Sequence, residues 1–255
     1  DTVIFSNGCA SFWYYFHEGT NAISRRSAKS LDRRNLYDFF GAKKKGERTD
    51  IVAQFTSWED GQLTGTYFTQ ADLKEFLFGP RKSHHGIMQK FIEPREDRND
   101  AIEVVWSPQM AFCVRRLNGH RVVDRNVPPT RRCATFDGAS HSCEEQFCTE
   151  ILRESMRKVA ASLVAYVHEV DNKFEIGRLV AFFKQDAQGK VWLLYTTSIR
   201  VVEAASEETR HTTAVNAEDI PAKPALTPLL LTMQALDDTK AAKLRRGGKE
   251  IVAPP

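Results

Sequence analysis

The residues that could do chemistry in this chain are its cysteines, histidines and paired acids, and their spacing sets what they can be. His141-x-Cys143 followed by Cys148 is the tightest group of soft ligands. A structural zinc ion takes four ligands, commonly as two short-spaced pairs, and the second pair would have to come from distant Cys133 or Cys113. The stretch after Ser142 reads as a helix, on which a five-residue step turns Cys143 and Cys148 to different faces. Ordinary packing, not metal binding, is therefore expected of them. His84-His85 follow Gly79-Pro80 with no acid or cysteine at motif spacing and read as a loop pair. Glu144-Glu145 would suit acid–base work, but Glu145 is expected to close a helix cap. The chain contains no phosphate-binding glycine loop, dinucleotide fingerprint or His-Glu-x-x-His, and no nucleophile elbow. The expectation is a protein that is not an enzyme, with no catalytic, cofactor-binding or metal-ligating residues.

Electrostatics supplies the second candidate. From Ser24 to Arg48 the chain turns polar and basic, with Arg25-Arg26, Arg33-Arg34 and Lys43-Lys44-Lys45. Such a run reads either as a contact for an acidic protein surface or phosphate backbone, or as a solvated linker. Thirty-six basic and 33 acidic residues leave a net charge of only +3, short of the imbalance a strong nucleic-acid binder carries. RNA or an acidic protein is permitted; neither is required. The hydrophobic share of 42% and aromatic share of 10% suffice for a core. No stretch approaches the roughly 20 apolar residues of a membrane span. Five scattered cysteines favour a reducing compartment over a disulfide framework. The chain starts Asp1-Thr2-Val3 without methionine, so it reads as a processed product or part of a longer one.

The elements that would hold these residues follow from hydrophobic period. Phe12-Trp13-Tyr14-Tyr15-Phe16 is an aromatic run whose neighbours must face opposite sides of a strand, which implies cover on both faces or a partner. Leu36, Phe39 and Phe40 have the spacing of a short amphipathic helix. Ile51–Phe55 and Leu63–Phe68 flank Glu59-Asp60-Gly61 as a hairpin. Thr69 caps a helix carrying Leu73, Phe76 and Leu77, with Asp72 at its third position, and Gly79-Pro80 stops it. Strands are expected at Ile87–Ile92, Ile102–Trp106 and Ala111–Arg116, a turn at Asn118-Gly119, and a short strand at Arg132–Phe136. Ser142-Cys143-Glu144-Glu145 reads as a capping box. Phe147, Ile151, Leu152, Met156, Val159, Leu163, Tyr166, Val167 and Val170 then form the stripe of a long helix, ended by Asp171-Asn172. A second hairpin joins Arg178–Gln185 to Lys190–Val202.

Together these imply an α+β fold, a mostly antiparallel sheet with one long amphipathic helix packed on it, and extended terminal arms. The expected organisation is an aromatic then basic segment at 1–49, an α+β domain at 50–203, and a polar arm at 204–255, whose apolar material is confined to Leu226–Leu236.

Three segments resemble, in order, a poorly characterised family of eukaryotic proteins associated with cilia and flagella. They are Trp106-Ser107-Pro108 followed by Arg115-Arg116; Arg132-Cys133-Ala134-Thr135-Phe136-Asp137-Gly138; and Phe183-Lys184-x-Asp186 with Trp192-x-Leu194 and Ser198-Ile199-Arg200. The likeness covers about residues 51–200. It implies a structural subunit of the axoneme, in cytoplasm and cytoskeleton, with tubulin or axonemal proteins as partners and no small-molecule substrate. Arg25, Arg26, Arg33, Arg34, Lys43, Lys44 and Lys45 would then meet an acidic surface. The alternatives are a subunit of an RNA–protein assembly such as a mitochondrial ribosome, and an enzyme with an unrecognised site.

Overall fold

The computed structural model describes residues 1–17, 22–43, 46–59, 62–80 and 84–203; the expected polar arm at 204–255 lies outside them, as do Asp60, Gly61, Lys44 and Lys45. Among the described residues, eleven strands and four α-helices make an α+β protein with mostly antiparallel sheets. Its strands are β1 Thr2–Ser6, β2 Cys9–His17, β3 Ala22–Arg25, β4 Ile51–Glu59, β5 Gln62–Thr69, β6 Gly86–Lys90, β7 Arg98–Trp106, β8 Ala111–Arg121, β9 Cys143–Phe147, β10 Phe174–Gln185 and β11 Val191–Glu203. The helices are α1 Arg33–Gly41, α2 Gln70–Phe78, α3 Pro129–Cys133 and α4 Glu150–Val170. One sheet has the order β3-β2-β1-β6-β4-β5 and the other β11-β10-β7-β8-β9. The chain divides into two compact units, the first formed by Asp1–Ile102, Val114–Phe147 and Phe183–Leu194, the second by Glu103–Cys113, Cys148–Phe182 and the described residues from Tyr195 to Glu203.

In the first unit, register explains the core. Trp13 stands opposite Val3, Val3 opposite Met88, and Met88 opposite Phe55, so four strands present one apolar row. Leu36 and Phe40 of α1 and Leu73 and Leu77 of α2 belong to the same buried cluster. Asp32 caps α1 by accepting from Arg34 N at 3.0 Å. The capping box of α2 forms as expected: Thr69 Oγ1 accepts from Asp72 N, and the Asp72 carboxylate accepts from Thr69 N. On the opposite sheet face, Gln54 Nε2 donates to Gln89 Oε1 and Gln89 Nε2 to Thr2 Oγ1, a polar ladder across β4, β6 and β1. Asn7 and Gly8, both at positive φ (51° and 72°), make the tight turn between β1 and β2. Within the aromatic run, Trp13 and Tyr14 are buried while Phe16 is exposed, so cover on both faces holds only at the middle of the strand.

Three expectations of local structure are corrected. Asn118-Gly119 is no turn but lies inside β8. The Asn118 side chain is buried, and its amide donates to Arg131 O and Ala134 O at 2.7 Å each, so it pins the following loop rather than bending its own strand. Arg132–Phe136 is not a strand: Pro129 occupies the first turn of α3, where its fixed φ and missing N–H favour a helix. Ser142 starts no long helix. Its hydroxyl donates to Ala139 O, and Cys143–Phe147 pairs instead with β8, where Arg116 grips Glu145 across the strands at 2.6 Å. The cap of the long helix lies seven residues later than expected, with Thr149 Oγ1 accepting from Leu152 N.

The second unit contains α4, whose buried residues are Met156, Ala160 and Val170. It ends at Val170 with Asp171 as its C-cap, as the sequence predicts. Phe182 stacks on Tyr195 at 4.7 Å, and Gly177 lies so near Val202 that a Cβ there would meet its methyl at 3.2 Å.

Candidate functional site: a cleft in the first unit

The first unit carries a cleft of about 650 Å³ along the end of β6 and the segment after it. Gln89, Lys90, Phe91, Ile92 and Glu93 run along it, with Phe39 of α1, and Trp192 and Leu193 from the hairpin that follows β10. Trp192 is set by Asp186, whose carboxylate accepts from its Nε1 at 2.8 Å and from the backbone N–H groups of Gln188 and Lys190. Those three bonds hold Asp186 below the usual carboxylate range against a burial effect that raises it. Gly189, at φ 81°, closes this turn.

The cleft's acids are met from within. Glu93 Oε1 accepts from Arg48 N at 2.8 Å, Thr49 N at 3.2 Å and Arg48 Nε at 3.3 Å. The rest of the Arg48 guanidinium reaches Asp97 and the carbonyls of Pro94 and Glu96. Asp1 accepts from Trp13 Nε1 and Arg26. Carboxylates so placed act as structural hydrogen-bond acceptors.

Behind Phe91 lies a buried polar centre. The Lys184 ammonium sits 4.1 Å from the Phe91 ring centroid and donates to Asn99 Oδ1, while the Asn99 amide donates to Cys133 O. Burial pushes the Lys184 amine down to about 8, with Asp100, Cys133, Asp137 and Glu93 pulling the other way. Arg132 is likewise enclosed, held by Asp50 at 2.7 Å and by Val122 O. Asp137 accepts from Tyr67 at 2.6 Å and from Thr135 N. Burial lifts the Cys133 thiol to about 12, that of Cys113 to about 11, and raises that of Cys143, so each stays protonated near neutrality and is no nucleophile.

The residues singled out in the sequence fall elsewhere. Cys143 is in β9 with its thiol toward Ala134 O and Thr135 O, His141 is on an exposed turn, and Cys148 follows β9. Their different faces on one helix was the wrong reason for doubting a metal site, since neither cysteine is helical. Among the described residues no three His, Cys, Asp or Glu are grouped to hold a metal. His84 stacks on Phe76 at 4.9 Å, and His85 is exposed. The basic stretch is dispersed: Arg25 lies over Phe12, and Arg26 lies over Trp13 and Tyr15 while bonding Asp1. Lys43 donates to Thr49 O. Arg33 is half-buried and Arg34 exposed on α1. Lys44 and Lys45 lie outside the described residues. Sequence reasoning missed the cleft, although Asp186, Lys190 and Trp192 at two- and four-residue steps about Gly189 carried a signal for a rigid turn.

No family model and no curated protein matches the chain. Among solved structures it overlaps the crystal structure of D-cycloserine synthetase DcsG with a TM-score of 0.42 and 13% identity, over 65% of this chain and 52% of that one. The overlap spans about half of that protein's length, and at this TM-score it lends the chain neither a fold assignment nor an activity. No helix among the described residues is long and apolar enough to cross a membrane.

Proposed function

We propose that the chain is a non-catalytic interaction subunit of a large assembly, specifically a microtubule-associated component of the ciliary or flagellar axoneme. The observation that supports the first half is the state of the cleft: Glu93, Asp186 and Asp1 each accept hydrogen bonds from fixed internal donors, which tie them into the fold as structural acceptors. The axonemal half rests on the resemblance over about residues 51–200 and on the basic residues of the Arg25–Lys45 stretch, which would complement an acidic lattice. The alternative, an RNA–protein subunit, draws support from the cation–aromatic pairs of Arg25 and Arg26, a pattern on which bases can stack.

Co-sedimentation with microtubules, set against binding to single-stranded RNA across a salt series, tests the reading. The proposal expects pelleting with microtubules that weakens when Lys43, Lys44 and Lys45 become Ala. Binding to RNA alone, with a steep salt slope, would replace it with the alternative.

A further inference from the structure

We infer that Cys113 and Cys148 form a redox-active dithiol, a site at which a hydroperoxide closes a disulfide across the end of the β8–β9 ladder; the assignment is independent of the assembly reading above. Strand register places the two sulfurs together. β9 pairs with β8 antiparallel, with Asn118 opposite Cys143, Arg116 opposite Glu145 and Val114 opposite Phe147. One step further along the same register sets Cys113 opposite Cys148. The backbone stays extended there, since Thr149, the cap of α4, has φ −60° and ψ 156°. Residues directly opposite in such a ladder have Cα atoms roughly 4.5–5.5 Å apart, inside the roughly 4.4–6.8 Å that a disulfide spans. Opposite side chains do meet on this ladder, as Arg116 and Glu145 show at 2.6 Å.

Alternation along the strands turns both sulfurs to one side. Phe112 and Phe147, the neighbours of the two cysteines, are 52% and 96% exposed, so Cys113 and Cys148 point to the other, covered face. Cys113 is accordingly buried and Cys148 half-buried, and both belong to the second unit. Burial, and then the charge of a nearby Cys148 thiolate, raise the Cys113 thiol to about 11, with Arg153 pulling the other way. Cys143 instead directs its thiol to Ala134 O and Thr135 O, and Cys133 is fully enclosed. Cys148, the more accessible of the pair, therefore reacts first. Its sulfur takes one oxygen from hydrogen peroxide as the O–O bond breaks, giving a sulfenic acid and water. The Cys113 thiol then condenses with that sulfenic acid: the S–S bond forms, the S–O bond breaks, and the hydroxyl leaves with the Cys113 proton as a second water. The two thiols together lose two electrons and the peroxide gains them. Exchange with a small thiol reverses the reaction. The bridge ties the end of the edge strand β9 to β8 immediately before the cap of α4.

The test treats the reduced, desalted full-length chain with stoichiometric hydrogen peroxide, blocks the remaining thiols with iodoacetamide in denaturant, and maps disulfides by non-reducing digestion and mass spectrometry. The expected product is an intramolecular Cys113–Cys148 link, about tenfold or more in excess of any other cysteine pair and reversed by dithiothreitol. Cys113→Ala should lose the link and accumulate on Cys148 a sulfenic acid that dimedone traps, whereas the parent traps little. Cys148→Ser should lose both the link and the trapped adduct. Cys9→Ser, at an exposed cysteine outside the pair, should leave the link unchanged. Thermal melts confirm that each variant is folded, and the linkage map of the parent reports on the site without any substitution. Three results would overturn it: no link in the parent, a dominant link from Cys113 or Cys148 to another cysteine, or a link that forms only between two chains.

Discussion

Replacing Lys184 with methionine takes an ammonium out of the core while keeping a long, unbranched side chain. In the folded chain the amine lies at about 8, against 10.5 for the free side chain, because burial penalises its charge more than Asp100 and its other neighbours repay. At ~1.4 kcal/mol per tenfold, that difference corresponds to about 3 kcal/mol of bias against the charged form. The sign follows from proton counting. Below about pH 8 both folded and unfolded chains carry the proton, and the whole penalty is present. Between that pH and the free value the unfolded chain binds a proton that the folded chain lacks, so stability rises with pH. From about pH 7 to about pH 9 this group contributes a gain of about 1 kcal/mol. Ionisation of the unfolded thiols removes a comparable amount over the same window, because Cys133, at about 12, and Cys113, at about 11, stay protonated in the folded chain. The parent and Lys184→Met share those thiols, so the difference between them isolates the amine. Urea unfolding followed by tryptophan fluorescence at both pH values measures it. The stability of the parent relative to Lys184→Met should rise by about 1 kcal/mol from about pH 7 to about pH 9, whatever the variant's absolute stability with Asn99 Oδ1 left without its donor. A difference that stays constant or falls would refute the assignment.

Other substitutions probe the packing. A Cβ on Gly65 would overlap Asp137 Oδ2, so Gly65→Ala must expel that carboxylate and break its bond to Tyr67. A loss of about 2 kcal/mol is expected by denaturant titration, and less than the sum when Asp137 is also Ala. Phe147→Ser should change stability by no more than about 0.5 kcal/mol, since Phe147 is 96% exposed; a cost of ~3 kcal/mol would return it to a helix face. Thr149→Ala should cost about 1 kcal/mol as the cap of α4.

What could be read from the sequence was what is decided locally. The capping box at Thr69 and Asp72, the stop at Gly79-Pro80, the hairpin after β10 and the apolar positions of α1 each depend on neighbours within a few residues, and each forms. The errors arose where distant partners overrode a local signal. Asn118-Gly119 has turn chemistry, yet burial against Arg131 O and Ala134 O makes a straight strand the better use of that amide. Ser142 and Glu145 have cap chemistry, but Arg116 on a neighbouring strand takes Glu145. The cleft was invisible for the same reason. It joins residues near 39, 90 and 192, and no spacing rule links them. The basic stretch was legible as charge, but not the diversion of Arg26 to Asp1 and of Lys43 to Thr49 O.

The central claim, an axonemal interaction subunit, is tested most directly by locating the tagged full-length protein in ciliated cells after detergent and salt extraction. The account predicts retention along the extracted axoneme. Recovery in mitochondria, or complete release with the soluble fraction, would contradict it.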